Sequence, residues 1–562
     1  MSAGPAANMP DEHASQETPP SLSPRCAGDV WIAAALLALL ATSLVREIDG
    51  PFWGLHDFNT ADQSQFARAL LRQPPSVHRF LPTYTLGKDV PQPVHHYAHH
   101  PPLITTLTAL SFLAFGEHAW SARLTALLCS LVGMAFFLLL ARESASRRAA
   151  WAAGFIYAIL PVGAFFGRMT NHEAPALCFT LIALWGWNGI ACGASPRRGR
   201  AAAWGMGIAA AIYSGWPGTF AAAFMAIQAW FSLHRGRGSL RLALAATLWP
   251  AMILSILLIH LVECGMEGHW GVWWALLASR SAGETPPKIG DDPMSTYWQY
   301  TAQNFSWPVV LLGGIFLAGQ GLRMLGGMRN TTSVSGRTHD RPNSAAVWWI
   351  AAALGATHLC FYRQALMHHY WWFYCWPAAA YLAGRGLDEL ASGAAGWSRL
   401  AARIVMAAGL ALCFAACAIN TNRYFSYRTY DPAKIAFWND PALRSILDSS
   451  GAPSAIYLAE PMIARETQGG HLHWWWGEPA TAYYMDRPYF PAARPSDLFA
   501  TSQPASDSEN PARFAGTEAR YLVISEQRVV RSTEWQAAVM GVTPLYRNWG
   551  FLVYDARVLK RS

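Results

Sequence analysis

Apolar runs of about 20 residues recur along this chain from Val30 to about Asn420 and then stop, and a helix needs about that length to cross roughly 30 Å of hydrocarbon. The composition agrees, with 53% hydrophobic residues, 14% charged residues and 27 tryptophans. That is not the make-up of a soluble chain. The runs predict about eleven membrane spans, near 28–46, 120–140, 150–166, 174–192, 202–214, 216–233, 241–262, 307–324, 346–361, 370–386 and 403–420. The fold class expected is an α-helical polytopic membrane protein.

Three regions follow from this pattern. Residues 1–27 read as a disordered cytoplasmic leader, since Met1 to Pro24 is rich in Pro, Ala and Ser without a periodic apolar face. Residues 28–421 form the transmembrane domain, whose first run is read as an uncleaved span rather than a signal peptide. Residues 422–562 form a small soluble α/β domain, with strands expected at Ser454 to Leu458, Tyr521 to Ser525 and Phe551 to Tyr554.

Charge sets the orientation. The loops Arg142 to Arg148, Pro196 to Arg200, His234 to Arg241, Arg323 to Arg341 and Arg385 to Arg403 hold most of the positive charge, which places them in the cytoplasm. Loop 47–119, the short link Phe166 to Glu173, the loop Glu263 to Trp307 and the C-terminal domain then share the opposite, periplasmic side of a cell inner membrane. Within loop 47–119, Leu103 to Phe115 is too short to span and is expected along the membrane surface. The net charge of +8 is spread through short loops rather than gathered in a stripe, which argues against a nucleic-acid partner. The cysteines sit mostly in apolar runs without CxxC spacing, as small core hydrophobes do.

Chemistry-bearing residues gather in three places on the outer side. The first is Gly54-Leu-His-Asp-Phe-Asn-Thr, where Thr60 and Gln63 have capping-box spacing. A helix beginning at Thr60 would leave Asp57 just before its N-terminus, as a general base, a cation ligand or a solvated loop acid, with Asp62 complementing the helix dipole in the first turn. The second is His95-His-Tyr-Ala-His-His-Pro-Pro, where two prolines fix the backbone after His99 and His100. Metal ligation there lacks a supporting HExxH or CxxC frame. The third is Phe166-Gly-Arg-Met-Thr-Asn-His-Glu, which packs Arg168, His172 and Glu173 between two apolar runs, where unpaired charge is costly. Arg168 and Glu173 can serve a phosphate and a hydroxyl or cation, or simply pair with each other.

Taken in order, His-Asp-Phe-Asn before Phe-Ala-Arg68, then His-His-Pro-Pro-Leu103, then Ala122-Arg-Leu, then Phe-Gly-Arg-Met169 with a following acid, the motifs resemble bacterial glycosyltransferase family 39. That family is related to the protein O-mannosyltransferases and to the lipid A aminoarabinose transferases, all of the membrane-embedded GT-C type. The resemblance covers about residues 30 to 200 well and the later spans only in pattern. It implies inverting transfer of a sugar from a polyprenyl-phosphate donor to a lipid, glycan or protein acceptor at the periplasmic face. Asp57 then matches the family's catalytic acid/base, and Glu173 stands where many relatives carry aspartate.

The expected substrate-binding set is Arg168, Arg363, His99, His100, His172, Asn59 and His368, with Arg168 or Arg363 on the carrier phosphate. A divalent metal ion on Asp57, Glu173 and His172 is the one cofactor considered, and the Asp-Phe-Asn form in place of an Asp-Glu pair leaves it open. Two rival functions are a ligase or polymerase of lipid-linked glycans and a flippase of lipid-linked sugar. A large late external loop would mark the first and a midplane path of buried charge the second. The longest external loop here is the first one, and the acids cluster at outer span ends.

Overall fold

The computed structural model describes residues 24–83, 96–97, 100–192, 198–263, 293–325, 365–366, 368–396, 398–427, 432–448, 455–458, 489–491, 519–548 and 551–559, with single positions at 355 and 360. It is mainly helical. Helices α1 (Pro24–Leu44), α5 (Ala119–Ser144), α6 (Arg147–Ile159), α7 (Pro161–Phe166), α8 (Glu173–Cys192), α9 (Arg198–Ser214), α10 (Trp216–His234) and α11 (Leu240–Leu261) follow the expected spans. Between α1 and α5 lie α2 (Asp57–Arg72), α3 (Pro75–His78) and α4 (Leu103–Phe115). After α11 come α12 (Pro293–Phe305), α13 (Trp307–Leu325), a seven-residue 3-10 segment (His369–Cys375), α14 (Trp376–Ala395) and α15 (Arg399–Ser426). The expected span 346–361 lies outside the described residues but for two single positions.

Length and hydropathy qualify α5, Glu173–Ala191 of α8, α11 and α15 as crossing helices among the described residues. Met294–Phe305 and Trp307–Leu322 qualify together but bend by 101°. Leu240, Leu244, Leu248, Met252, Ile256 and Ile259 expose an apolar stripe along α11, the surface a helix shows to lipid rather than to water. Without a hydrophobic drive between helices in lipid, close packing must come from small residues. A Cβ on Gly207 of α9 would sit 2.7 Å from the Ala183 backbone nitrogen of α8, and Gly384 of α14 meets the backbone of Ala153 in α6 as tightly.

Two expectations are corrected. The run 150–166 is broken at Leu160, because Pro161 begins a new helix and cannot continue the old one. The helix of the first motif begins at Asp57 instead of Thr60. His56, in the left-handed conformation (φ 59°), turns the chain into it. Thr60 does not cap, because its hydroxyl takes the backbone N–H of Thr170 (3.2 Å) and Gln63 instead accepts from the Thr105 hydroxyl (2.6 Å).

In the C-terminal region, β1 (Ala455–Leu458), β2 (Tyr489–Pro491), β3 (Ala519–Ser525), β4 (Tyr546–Asn548) and β5 (Phe551–Asp555) form one sheet in the order β2-β1-β3-β5-β4. The pairs of β1 are parallel and those of β5 antiparallel. Leu522, Ile524, Leu552 and Tyr554 pack one face against Trp535, while Val523, Phe551 and Val553 pack the other against Phe437 and Trp438. Burial on both faces explains why these strands read as continuous apolar runs.

Candidate active site

Arg123 is the organising residue. It stands near the start of α5 with only 1% of its surface exposed, and an isolated charge could not stay there. Its guanidinium donates to the carbonyls of Ile48 (2.9 Å), Gly50 and Pro51 (3.2 Å) and to Oδ2 of Asp57 (3.2 Å), and it lies over the Phe52 ring. The link from α1 to α2 is thereby folded around one side chain. Asp57, 7% exposed, also accepts the Gly54 N–H on Oδ2 at 2.8 Å. Both contacts fall on one oxygen, so Oδ1 is left without a hydrogen bond among the described residues.

Beside Asp57, His56 turns its ring towards His368, His369 and Tyr370, with His56 Nε2 and His369 Nδ1 3.4 Å apart. Burial holds His56 well below the usual imidazole range, helped by the charge of His368 and His369, and burial alone lowers His369 to about 4. His56 and His369 are therefore neutral at physiological pH. Asn59 faces the third motif, its amide 3.8 Å from the Met169 sulfur.

The third motif closes the other end. Glu173 opens α8 with 3% exposure, and neither of its carboxylate oxygens has a hydrogen-bond partner among the described residues. Nε2 of His172 approaches Oε1 to 3.0 Å without the alignment of a hydrogen bond, and the His172 ring stacks on that of His100 at 4.0 Å. Arg168 does not pair with Glu173. It donates to the carbonyl of Arg46 and lies over the Phe425 ring at 4.5 Å, so it ties the end of α1 to α15. His99 and Arg363 lie outside the described residues.

The structure therefore brings Asp57, Asn59, His56 and His368 together at one end of the 3-10 segment, and Glu173, His172 and His100 near the other. Sequence reasoning passed over Arg123, although it stands in the quoted Ala122-Arg-Leu motif. A charge one turn inside an apolar run was the available signal. It also passed over Tyr374, which nothing in the run Tyr370-Trp-Trp-Phe-Tyr-Cys-Trp376 sets apart.

A metal does not fit the described residues. No three His, Cys, Asp or Glu side chains among them converge to hold an ion, and one Asp57 oxygen is already paired with Arg123. No step below is routed through one.

The family model for dolichyl-phosphate-mannose-protein mannosyltransferases matches residues 99–262. Among solved structures, ArnT from Cupriavidus metallidurans bound to undecaprenyl phosphate is 15% identical with a TM-score of 0.56, covering 94% of this chain and 98% of that one. The oligosaccharyltransferase AglB from Archaeoglobus fulgidus, in complex with an inhibitory peptide and a dolichol-phosphate, is 13% identical with a TM-score of 0.53, covering 91% of this chain and 71% of that one. An Archaeoglobus fulgidus oligosaccharyltransferase in complex with zinc and sulfate is 14% identical with a TM-score of 0.51, covering 90% of this chain and 69% of that one. A comparison with curated protein sequences finds no significant match. The fold is that of the GT-C membrane glycosyltransferases, and the resemblance read from the motifs holds.

Proposed function

We propose that this chain transfers a sugar from a polyprenyl-phosphate donor to a lipid, glycan or protein acceptor at the periplasmic face of the inner membrane, with inversion. The carrying observation is Asp57: a nearly buried carboxylate fixed by Arg123 and the Gly54 N–H through one oxygen, with the other left for a substrate proton. In the proposed step the acceptor oxygen bonds to the anomeric carbon as the bond to the phosphate oxygen breaks. The acceptor proton passes to Asp57, and the electron pair leaves with the phosphate. Charge growing on that phosphate calls for a preorganised cation. Arg363 is proposed for it, since Arg168 is engaged with Arg46 and Phe425. Glu173 is proposed as the second acid of the site.

About eleven spans place loop 47–119 and the C-terminal region on the same outer side in this reading. Cysteines introduced into both should react with an impermeant reagent added from outside.

Asp57→Asn keeps shape and hydrogen-bonding capacity but cannot take the proton. Sugar transfer from radiolabelled polyprenyl-phosphate donors should fall about 100-fold or more while donor binding persists. Near-normal transfer by the variant would remove Asp57 as the base. Movement of intact donor across vesicles without sugar release would mark a flippase instead.

A further inference from the structure

Tyr374 is fully buried in the 3-10 segment, and its hydroxyl has no hydrogen-bond partner. The 3-10 segment packs against α8, which brings Tyr374 within electrostatic reach of Glu173, whose two carboxylate oxygens are buried and have no hydrogen-bond partner among the described residues. One orphaned polar group can be a packing accident, but an orphaned hydroxyl and an orphaned carboxylate on two packed elements, both closed off from solvent, make a place shaped for a polar guest.

The chemistry of that guest follows from the proton inventory. Oδ1 of Asn171 meets both the backbone N–H of His172 and its Nδ1, each at 2.9 Å. A backbone N–H can only donate, so the facing atom is the amide oxygen, and Nδ1 must be a protonated ring nitrogen. Nε2 sits 3.0 Å from Oε1 of Glu173, an acceptor in the neutral ring and a donor in the charged one. Whatever the state of that ring, the subsite offers two carboxylate oxygens as acceptors and Tyr374 as a hydroxyl that can give or take.

We propose that Glu173, His172 and Tyr374 form a subsite for the hydroxyl groups of the transferred sugar. The inference rests on the glycosyltransferase reading and adds Tyr374 to it as a binding residue. Neighbouring ring hydroxyls bring several donors on a rigid frame, which is what an acceptor-rich pocket of this kind selects. A bare phosphate, which brings only negative charge, is repelled.

The test compares two probes, undecaprenyl phosphate and undecaprenyl-phosphate glucose, bound to the purified full-length protein in nanodiscs. The wild-type protein should hold the sugar-bearing probe more tightly than the bare carrier. Tyr374→Phe removes only the oxygen and Glu173→Gln replaces an acceptor by a donor. Each should weaken the sugar-bearing probe about tenfold while bare-carrier binding stays within about twofold. Unchanged binding of both probes in a Tyr374→Phe protein with wild-type melting behaviour would overturn the subsite and leave the gap to an ordered water. Equal affinity of the wild type for the two probes would overturn it too. Failure of the wild type to bind either probe would instead overturn the glycosyltransferase reading beneath it.

Discussion

Removing Arg123 should loosen the link between α1 and α2 before it affects any other region. Arg123→Met keeps the length of the side chain and deletes its donors, leaving the carbonyls of Ile48, Gly50 and Pro51 and one Asp57 oxygen without the partner they share. Breaking a buried ion pair from one side costs about 3–5 kcal/mol. Asp57→Asn keeps an acceptor for the Gly54 N–H and loses only the charged contact, so it should cost less, about 1–3 kcal/mol. Because both changes remove the same 3.2 Å contact, the double variant should be less destabilised than the sum, with a coupling of about 1–3 kcal/mol. Unfolding in detergent by denaturant titration, read by tryptophan fluorescence, gives all four corners of the cycle. Additivity within about 0.5 kcal/mol would show that Arg123 and Asp57 do not meet. A wild-type-like Arg123→Met would refute the role of the guanidinium as the pin of the α1–α2 link.

The remaining predictions are smaller. Asp62 sits in the second turn of α2, and burial raises its carboxyl well above the carboxylate range. The folded state therefore holds that proton more tightly than the unfolded one, and stability falls as pH rises from the ordinary carboxylate range through the raised value. Asp62→Asn should melt no lower than wild type at neutral pH and retain turnover, and a lower melting temperature would contradict this. His369, lowered to about 4, has the opposite sign: stability is present above about 6.5 and is lost as pH falls towards 4, because the unfolded chain takes up a proton that the folded one refuses. His369→Gln should flatten melting temperature against pH in that window, and an unchanged slope would show that other groups set it. Gly207→Leu should lower the melting temperature markedly by pushing α9 off the Ala183 backbone, and unaltered melting would deny the close approach.

Much of the helical layout was legible because the membrane imposes a length rule that a sequence cannot hide. The ends of α5, α8, α9, α10 and α11 fall within a few residues of the apolar runs that announced them. Asp57 and Glu173 stood out as candidates for a related reason, since acids at the edges of such runs are conspicuous. Local turn chemistry was less readable. The Thr60–Gln63 spacing is genuine, but both side chains are claimed by Thr170 and Thr105 from distant parts of the chain, and no local rule anticipates that. Arg168 was read either as a phosphate ligand or as a partner of Glu173; its contacts here are to Arg46, 122 residues before it, and to Phe425 on α15, which no local rule points to. The strands β2 and β4 have three residues each, too few for any alternation to register.

The bend between α12 and α13 bears on how such a site is reached. Ser306, in the left-handed region and held by the Asn420 amide at 2.9 Å, turns α12 by 101° away from α13. Met294 and Trp298 of α12 and Trp307 at the start of α13 stay exposed, while Tyr297 and Tyr300 set their rings against Trp372 and His369 of the 3-10 segment. With α13 read as a span, the bend would lay α12 flat in the headgroup layer and rest one wall of the site on the leaflet itself. On the proposed glycosyltransferase reading, a donor confined to that leaflet would search a plane, so its encounter rate would follow its mole fraction among the lipids and not its concentration in the aqueous volume. Adding inert lipid at constant total donor would then slow the proposed reaction by surface dilution, and a Michaelis constant in molar units would have no fixed meaning.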